Sequence, residues 1–242
     1  GNDGRHAGLG HRGFLRVRCD GCRREQLLAF RCKSRAACPS CANRRMADSA
    51  ARLVDHVLPI APYRQWVLSP PRVVRLAMAL HPHVTAAVLQ AFLRAVFAWQ
   101  RRRARRLGQA TPRTAAITFV QRFSSALRLH PHFHSVLPDG VFVEDAESPR
   151  FVELPPPSDA EVAAILLAAV RKIRRVLTRL APPELDESDE ALLPLYRDAV
   201  RPEPIAPTEA PAIIGRRTAM YDGWSLHANT ACHANDRDQL ER

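Results

Sequence analysis

The stretch LRLHPHFHSVLPDGVFV, Leu127–Val143, sets His130, His132 and His134 at alternate positions and then breaks at Pro138-Asp139-Gly140. In an extended strand successive side chains point to opposite faces, so the three imidazoles share one face while Phe133 and Ser135 share the other. Pro131 has no N–H to give to a ladder, which places His130 at or before the strand start and leaves His132 and His134 as the firm pair. The Pro-Asp-Gly triplet reads as the turn of a hairpin whose second strand ends at Val143. Two imidazoles two residues apart on a strand can bind one divalent ion, with Phe133 between them packed into a core and fixing their direction. The same pattern also suits surface histidines on an edge strand.

Further strands and helices flank this run. YRQWVLSPP (63–71) sets β-formers between a polar start and a double proline, and AAITFVQRF (115–123) is a second β-rich segment. Residues 84–107 read as one long helix, apolar first and densely basic last, with Gly108 placed to end it. The apolar spacing in RRMADSAARLVDHVL predicts a helix closed by Pro59, and SDAE at 158–161 is a capping box that opens another helix to about residue 181. APPELDESDE is acidic and proline-broken, and RPEPIAPTEAPA (201–212) reads as a linker. The order of elements predicts an α+β fold, with antiparallel strands carrying helices on one face.

The chain has 242 residues and a formal charge of +12, and that charge is regional: residues 1–150 carry +16 and residues 151–242 carry −4. Such an excess is the footprint of a polyanion partner, because each phosphate neutralised releases condensed counterions; a merely solubilising basic surface is the bland alternative. Arg101, Arg102, Arg103, Arg105 and Arg106 offer phosphate contacts rather than base readout. With aromatics at 6% of residues, stacking is expected to contribute less than charge, Trp99 being the exception to watch. No stretch has the apolar length of a spanning helix and the N-terminus lacks a secretory core, so the expected setting is cytoplasmic, with no membrane partner. Five of the six cysteines fall within residues 19–41. Cys19-x2-Cys22 and Cys38-x2-Cys41, fifteen residues apart, have four-cysteine zinc spacing, and such a saturated site is structural. Cys32 is the reserve ligand, and buried reduced thiols are the alternative. His227, Cys232 and His233 follow no metal spacing and read as packing or surface residues.

Taken in order, RCDGC, CKSRAACPSCANRRMADSAARLVDHVLP, RQWVLSPP, ITFVQRFSSALRLHPHFHSVLPDGVF and GWSLHANTACHANDRDQLER resemble the transposases of the two-tyrosine rolling-circle insertion sequences. Those enzymes pair an N-terminal zinc-binding domain with an HUH nuclease domain of ferredoxin-like character. The similarity runs from about residue 14 to the end, and residues 182–212 are least distinctive. It implies a zinc ribbon over 1–50, an HUH nuclease-like domain over 51–181, a linker over 182–212, and the start of a C-terminal segment over 213–242. It also implies a reaction: His132 and His134 hold Mg²⁺ or Mn²⁺ at the scissile phosphate of single-stranded DNA at transposon ends. A tyrosine then attacks to leave a 5′-phosphotyrosine and a free 3′-OH, with no nucleotide cofactor. A third metal ligand is unassigned, Gln121 being a guess. Tyr63, Tyr196 and Tyr221 are the only tyrosines, and none matches the family's catalytic motif. The expectation is a truncated or frameshifted product ending before that motif, with Tyr221 as the substitute nucleophile otherwise. The rival reading is a catalytically inactive zinc-ribbon fragment that only binds DNA.

Overall fold

A computed structural model describes residues 14–18, 25–29, 48–124, 129–145, 148–180 and 210–241, in two compact units: 1–59 with 237–242, and 60–236. In the first, strands β1 (Phe14–Arg18) and β2 (Glu25–Ala29) pair antiparallel, and Cys19 and Cys22 fall between them in sequence. The five knuckle-region cysteines lie outside the described residues. The helical stretch from Asp48 continues into a π-helical turn at Leu53–Val57, against which the short helix α4 (Arg237–Glu241) packs.

The larger unit is a mixed helix and antiparallel-sheet structure, the α+β class. Its strands are β3 (Tyr63–Ser69), β4 (Ile117–Phe123), β5 (Leu129–Pro138), β8 (Ala212–Gly215), β9 (Thr218–Tyr221), β10 (Trp224–His227) and β11 (Ala231–Cys232). They form one sheet in the order β4-β5-β3-β10-β9-β8, with β11 following β10 along the same side of β3. The strands of 212–232 thus belong to the sheet that holds the histidine run, although a proline-rich, acidic stretch separates them in sequence.

Alternation divides the sheet into two faces. Trp66, Leu68, Phe133, Leu137, Tyr221, Trp224 and Leu226 point to one side and are buried. Helices α2 (Pro82–Arg106) and α3 (Asp159–Leu177) cover that side, while the shorter α1 (Arg72–Leu80) adds Val74, Ala77 and Met78 to the same core. Gly108, at φ 82°, ends the turn after α2, and the Ser158/Glu161 capping box opens α3 as the spacing predicts. Trp99 packs edge-on against Trp66 with ring centroids 5.7 Å apart, and its indole N–H donates to Glu161 at 3.1 Å. The one aromatic marked for stacking on bases is therefore a core residue.

The predicted hairpin at Pro138-Asp139-Gly140 does not form. Both edges of β5 are already occupied, by β3 and β4, and β6 (Gly140–Val143) pairs instead with β7 (Arg150–Glu153) in a separate ribbon. The triplet is a corner between two sheets, and Arg64 pins it. The guanidinium donates to both Asp139 carboxylate oxygens, at 2.9 and 2.7 Å, and to the Ala228 carbonyl at 2.8 Å. Glycine follows because a Cβ at residue 140 would run into the Phe151 ring and the Val152 carbonyl. Among the described residues no helix is long and apolar enough to cross a membrane.

Candidate metal and nucleic-acid site

The ladder between β4 and β5 pairs Gln121 with His132 and then Phe123 with Leu129, so β5 carries one residue more than β4 over that step. This bulge accommodates Pro131, whose missing N–H has no ladder partner there. The strand consequently runs through the proline, and His130 lies inside it rather than at its start. The three rings stand together: His130 and His132 stack with centroids 4.9 Å apart, and His132 meets His134 edge-on, also at 4.9 Å.

His132 is the most enclosed of the three at 8% exposure, and its Nδ1 lies 2.6 Å from the His130 carbonyl oxygen. A carbonyl only accepts, so Nδ1 carries a proton, and in the neutral ring that leaves the lone pair on Nε2, the tautomer a metal-binding imidazole needs. Burial, and then the neighbouring His132, lower the pKa of His134 from its ordinary value. Burial, Arg75 and His132 do the same to His130, whose Nε2 is buried without a partner. A neutral imidazole is a nitrogen donor of the kind divalent transition ions take, so the residue types at His132 and His134 suit a divalent ion. An all-imidazole set suits a transition ion such as Mn²⁺ better than Mg²⁺, which prefers oxygen. Among the described residues no group of three or more His, Cys, Asp or Glu side chains is placed to hold a metal ion, so the three imidazoles do not converge on one position. The remaining ligands would have to be oxygens, and Gln121, directly opposite His132 in register, shares its face.

The opposite face of the sheet decides where the other marked residues fall. Tyr221 is in the core beneath the helices, its hydroxyl buried and unpartnered on the side away from the imidazoles. Tyr63 shares the histidine face but is 2% exposed and lies four residues along β3 from Val67, the residue paired with His134, roughly 13 Å away. Tyr196 is outside the described residues. The arginine run ends α2 on the helical side, so it does not line the histidine face. Within it, Arg103 donates to the Pro155 carbonyl at 2.9 Å and to Glu161 at 3.4 Å and lies over the Trp99 ring at 5.3 Å, while Arg101 reaches Thr114 at 3.3 Å. Arg102, Arg105 and Arg106 are exposed.

His227 is on the histidine face, paired with Val67 from the other side, two strand spacings or roughly 10 Å from His134. Cys232 is half-buried, and burial raises its thiol pKa; His233 is exposed. Two further residues of this face, Phe119 and Phe123, escaped the sequence reading. Alternation within ITFVQRF marks them as sharing a side, but only the pairing of Phe119 with His134 shows which side it is.

The family model described as "Putative transposase" matches residues 115–242, a span that holds β5 with all three histidines. The model described as "Transposase zinc-binding domain" matches residues 5–70. The chain belongs to the IS91-type transposases. The N-terminal part of this transposase is therefore a zinc-binding domain, and its role is in transposition, with DNA as partner. No curated protein and no solved structure matches the chain.

Proposed function

We propose that this transposase cleaves and rejoins single-stranded DNA at transposon ends as a rolling-circle, HUH-class strand transferase, with His132 and His134 holding Mn²⁺ or Mg²⁺. The observation that carries the reading is the group of three imidazoles on the sheet face opposite α2 and α3, with an Nδ1 proton of His132 committed to the His130 carbonyl. Bound there, the ion would neutralise charge that develops on the oxygens of the scissile phosphate. The chain's own contribution is positional. Phe133 anchors β5 in the core, the bulge at Pro131 turns His130 onto His132, and Gln121 supplies an amide on the neighbouring strand. In the N-terminal unit, Cys19, Cys22, Cys38 and Cys41 are the proposed structural zinc ligands, with β1 and β2 bracketing the first knuckle and Cys32 in reserve.

Titration calorimetry with Mn²⁺ tests the site: the protein is expected to bind one equivalent that His132→Ala plus His134→Ala abolishes. Equal binding by both proteins would end the proposal. A second reading, DNA binding without chemistry, draws on the tyrosines, since neither described hydroxyl stands beside the histidine pair. A denaturing gel with labelled single-stranded transposon-end DNA and Mn²⁺ separates the two, because only the first reading yields metal-dependent strand cleavage.

A further inference from the structure

The imidazoles occupy one part of a broader surface. On the same face β4 presents Phe119, Gln121 and Phe123, with Phe119 directly opposite His134. Phe119 is 49% exposed and Phe123 54%. A single exposed apolar side chain needs no explanation, but two large rings on one strand beside a polar cluster do. Four residues apart, they lie roughly 13 Å from each other along the strand, far enough to hold separate nucleotides. The surface around them has one electrostatic character: no position on this face of β4, β5, β3 or β10 is Asp or Glu, and Arg75 is close enough to His130 to lower its pKa. An acid-free surface with nitrogen donors next to exposed aromatic rings complements a single nucleic-acid strand, whose phosphates seek the donors and whose bases seek the rings.

We propose that Phe119 and Phe123 form a base-stacking platform for single-stranded DNA, holding nucleotides next to the phosphate that His132 and His134 engage. The proposal rests on the preceding reading that single-stranded DNA is the substrate of this face. It sets the aromatic contribution on the edge strand rather than on Trp99, which the core consumes. The other conceivable occupant is a second copy of the chain adding a strand beyond β4. Arg122, exposed on that edge strand, opposes such pairing of like with like.

The test compares oligothymidylate with an abasic strand of equal length, which has the same phosphates and no bases, by fluorescence anisotropy with the full 242-residue chain. Stacking predicts that the intact strand binds tighter by about fivefold or more for each base held. Phe119→Leu with Phe123→Leu should erase that preference while leaving affinity for the abasic strand unchanged, and Phe119→Trp with Phe123→Trp should keep it. Equal binding of both strands by the unaltered protein overturns the platform yet leaves the single-strand reading standing. Binding of neither strand sinks that reading and the platform with it. A preference that survives the leucine pair assigns stacking to other residues and refutes the assignment. If the unaltered protein sediments as a dimer that the leucine pair dissociates, the surface belongs to a second copy and the proposal is wrong.

Discussion

Replacing Asp139 by Asn keeps the shape of the corner between the two sheets and removes only its charge. The partner left behind is Arg64, whose side chain is 3% exposed, and Asp139 itself is 12% exposed, so water cannot take over the interaction. A guanidinium cannot discharge itself by losing a proton at any pH at which a protein stays folded. Asp139→Asn should therefore carry the full penalty of an uncompensated buried cation, about 3–5 kcal/mol. Arg64→Met should cost less, because the stranded carboxyl can protonate. Burial already pushes the Asp139 pKa up, against the lowering pull of the Arg64 hydrogen bonds and charge. The pH dependence follows from that direction. A carboxyl whose folded pKa lies above its unfolded value adds stability below the unfolded pKa and loses it as pH rises through the folded one. Removing Arg64 takes away the lowering pull, so Arg64→Met should lose stability from mildly acidic to neutral pH more steeply than the unaltered protein. Urea unfolding followed by circular dichroism measures the costs, and a thermal melt should show Asp139→Asn falling by roughly 6–20 °C at 2–4 °C per kcal/mol for a domain of this size. The double variant should cost well under the sum of the singles. An Asp139→Asn protein within about 1 kcal/mol of the parent, or strictly additive singles, would refute the clamp.

The arginine run should divide into two behaviours. Arg103→Ala is expected to lower thermal stability, because that side chain packs over Trp99 and pairs with Glu161. Arg102→Ala with Arg105→Ala and Arg106→Ala should leave the melt unchanged and flatten the salt dependence of DNA binding, by up to about one unit of slope for each phosphate no longer neutralised. Tyr221→Phe removes a buried hydroxyl that has no partner, so stability should hold or rise by up to about 1 kcal/mol and metal-dependent cleavage should be unchanged; loss of cleavage would restore Tyr221 as nucleophile. Elemental analysis should find one zinc per chain, with Cys38→Ser losing it more readily than Cys32→Ser; equal losses would mean that the proposed four ligands are wrong.

Several elements were legible in the chain because their causes are local. The strand at Tyr63–Ser69 ends where Pro70 and Pro71 remove donors, the capping box at Ser158 satisfies orphan amides within one turn, and Gly108 tolerates the positive φ that closes the long helix. The histidine face was legible too, since alternation along an extended chain needs no partner. What lay beyond reach was pairing. Nothing in PDGVFV says that both edges of the preceding strand are taken, so a good turn triplet became a corner instead of a hairpin. The strand Trp224–His227 pairs with Val67–Ser69 across more than 150 residues, and no short-range signal announces it. Helix α1 went unread because its apolar positions run straight on from the double proline.

The amino-acid sequence by itself determined which residues are proposed for the chemistry, imidazoles at period two, thiols in C-x2-C pairs and a basic helix end, and the order of segments that marks a transposase. Only the tertiary structure decided which of them meet. Face is a property of a strand, but neighbour is a property of a sheet, and a sheet is chosen by long-range burial. Packing Trp66 against Trp99 committed α2, and with it the arginine run, to the side away from the histidines. The same choice left Phe119 and Phe123 beside the imidazoles, where spacing along the chain could not have placed them.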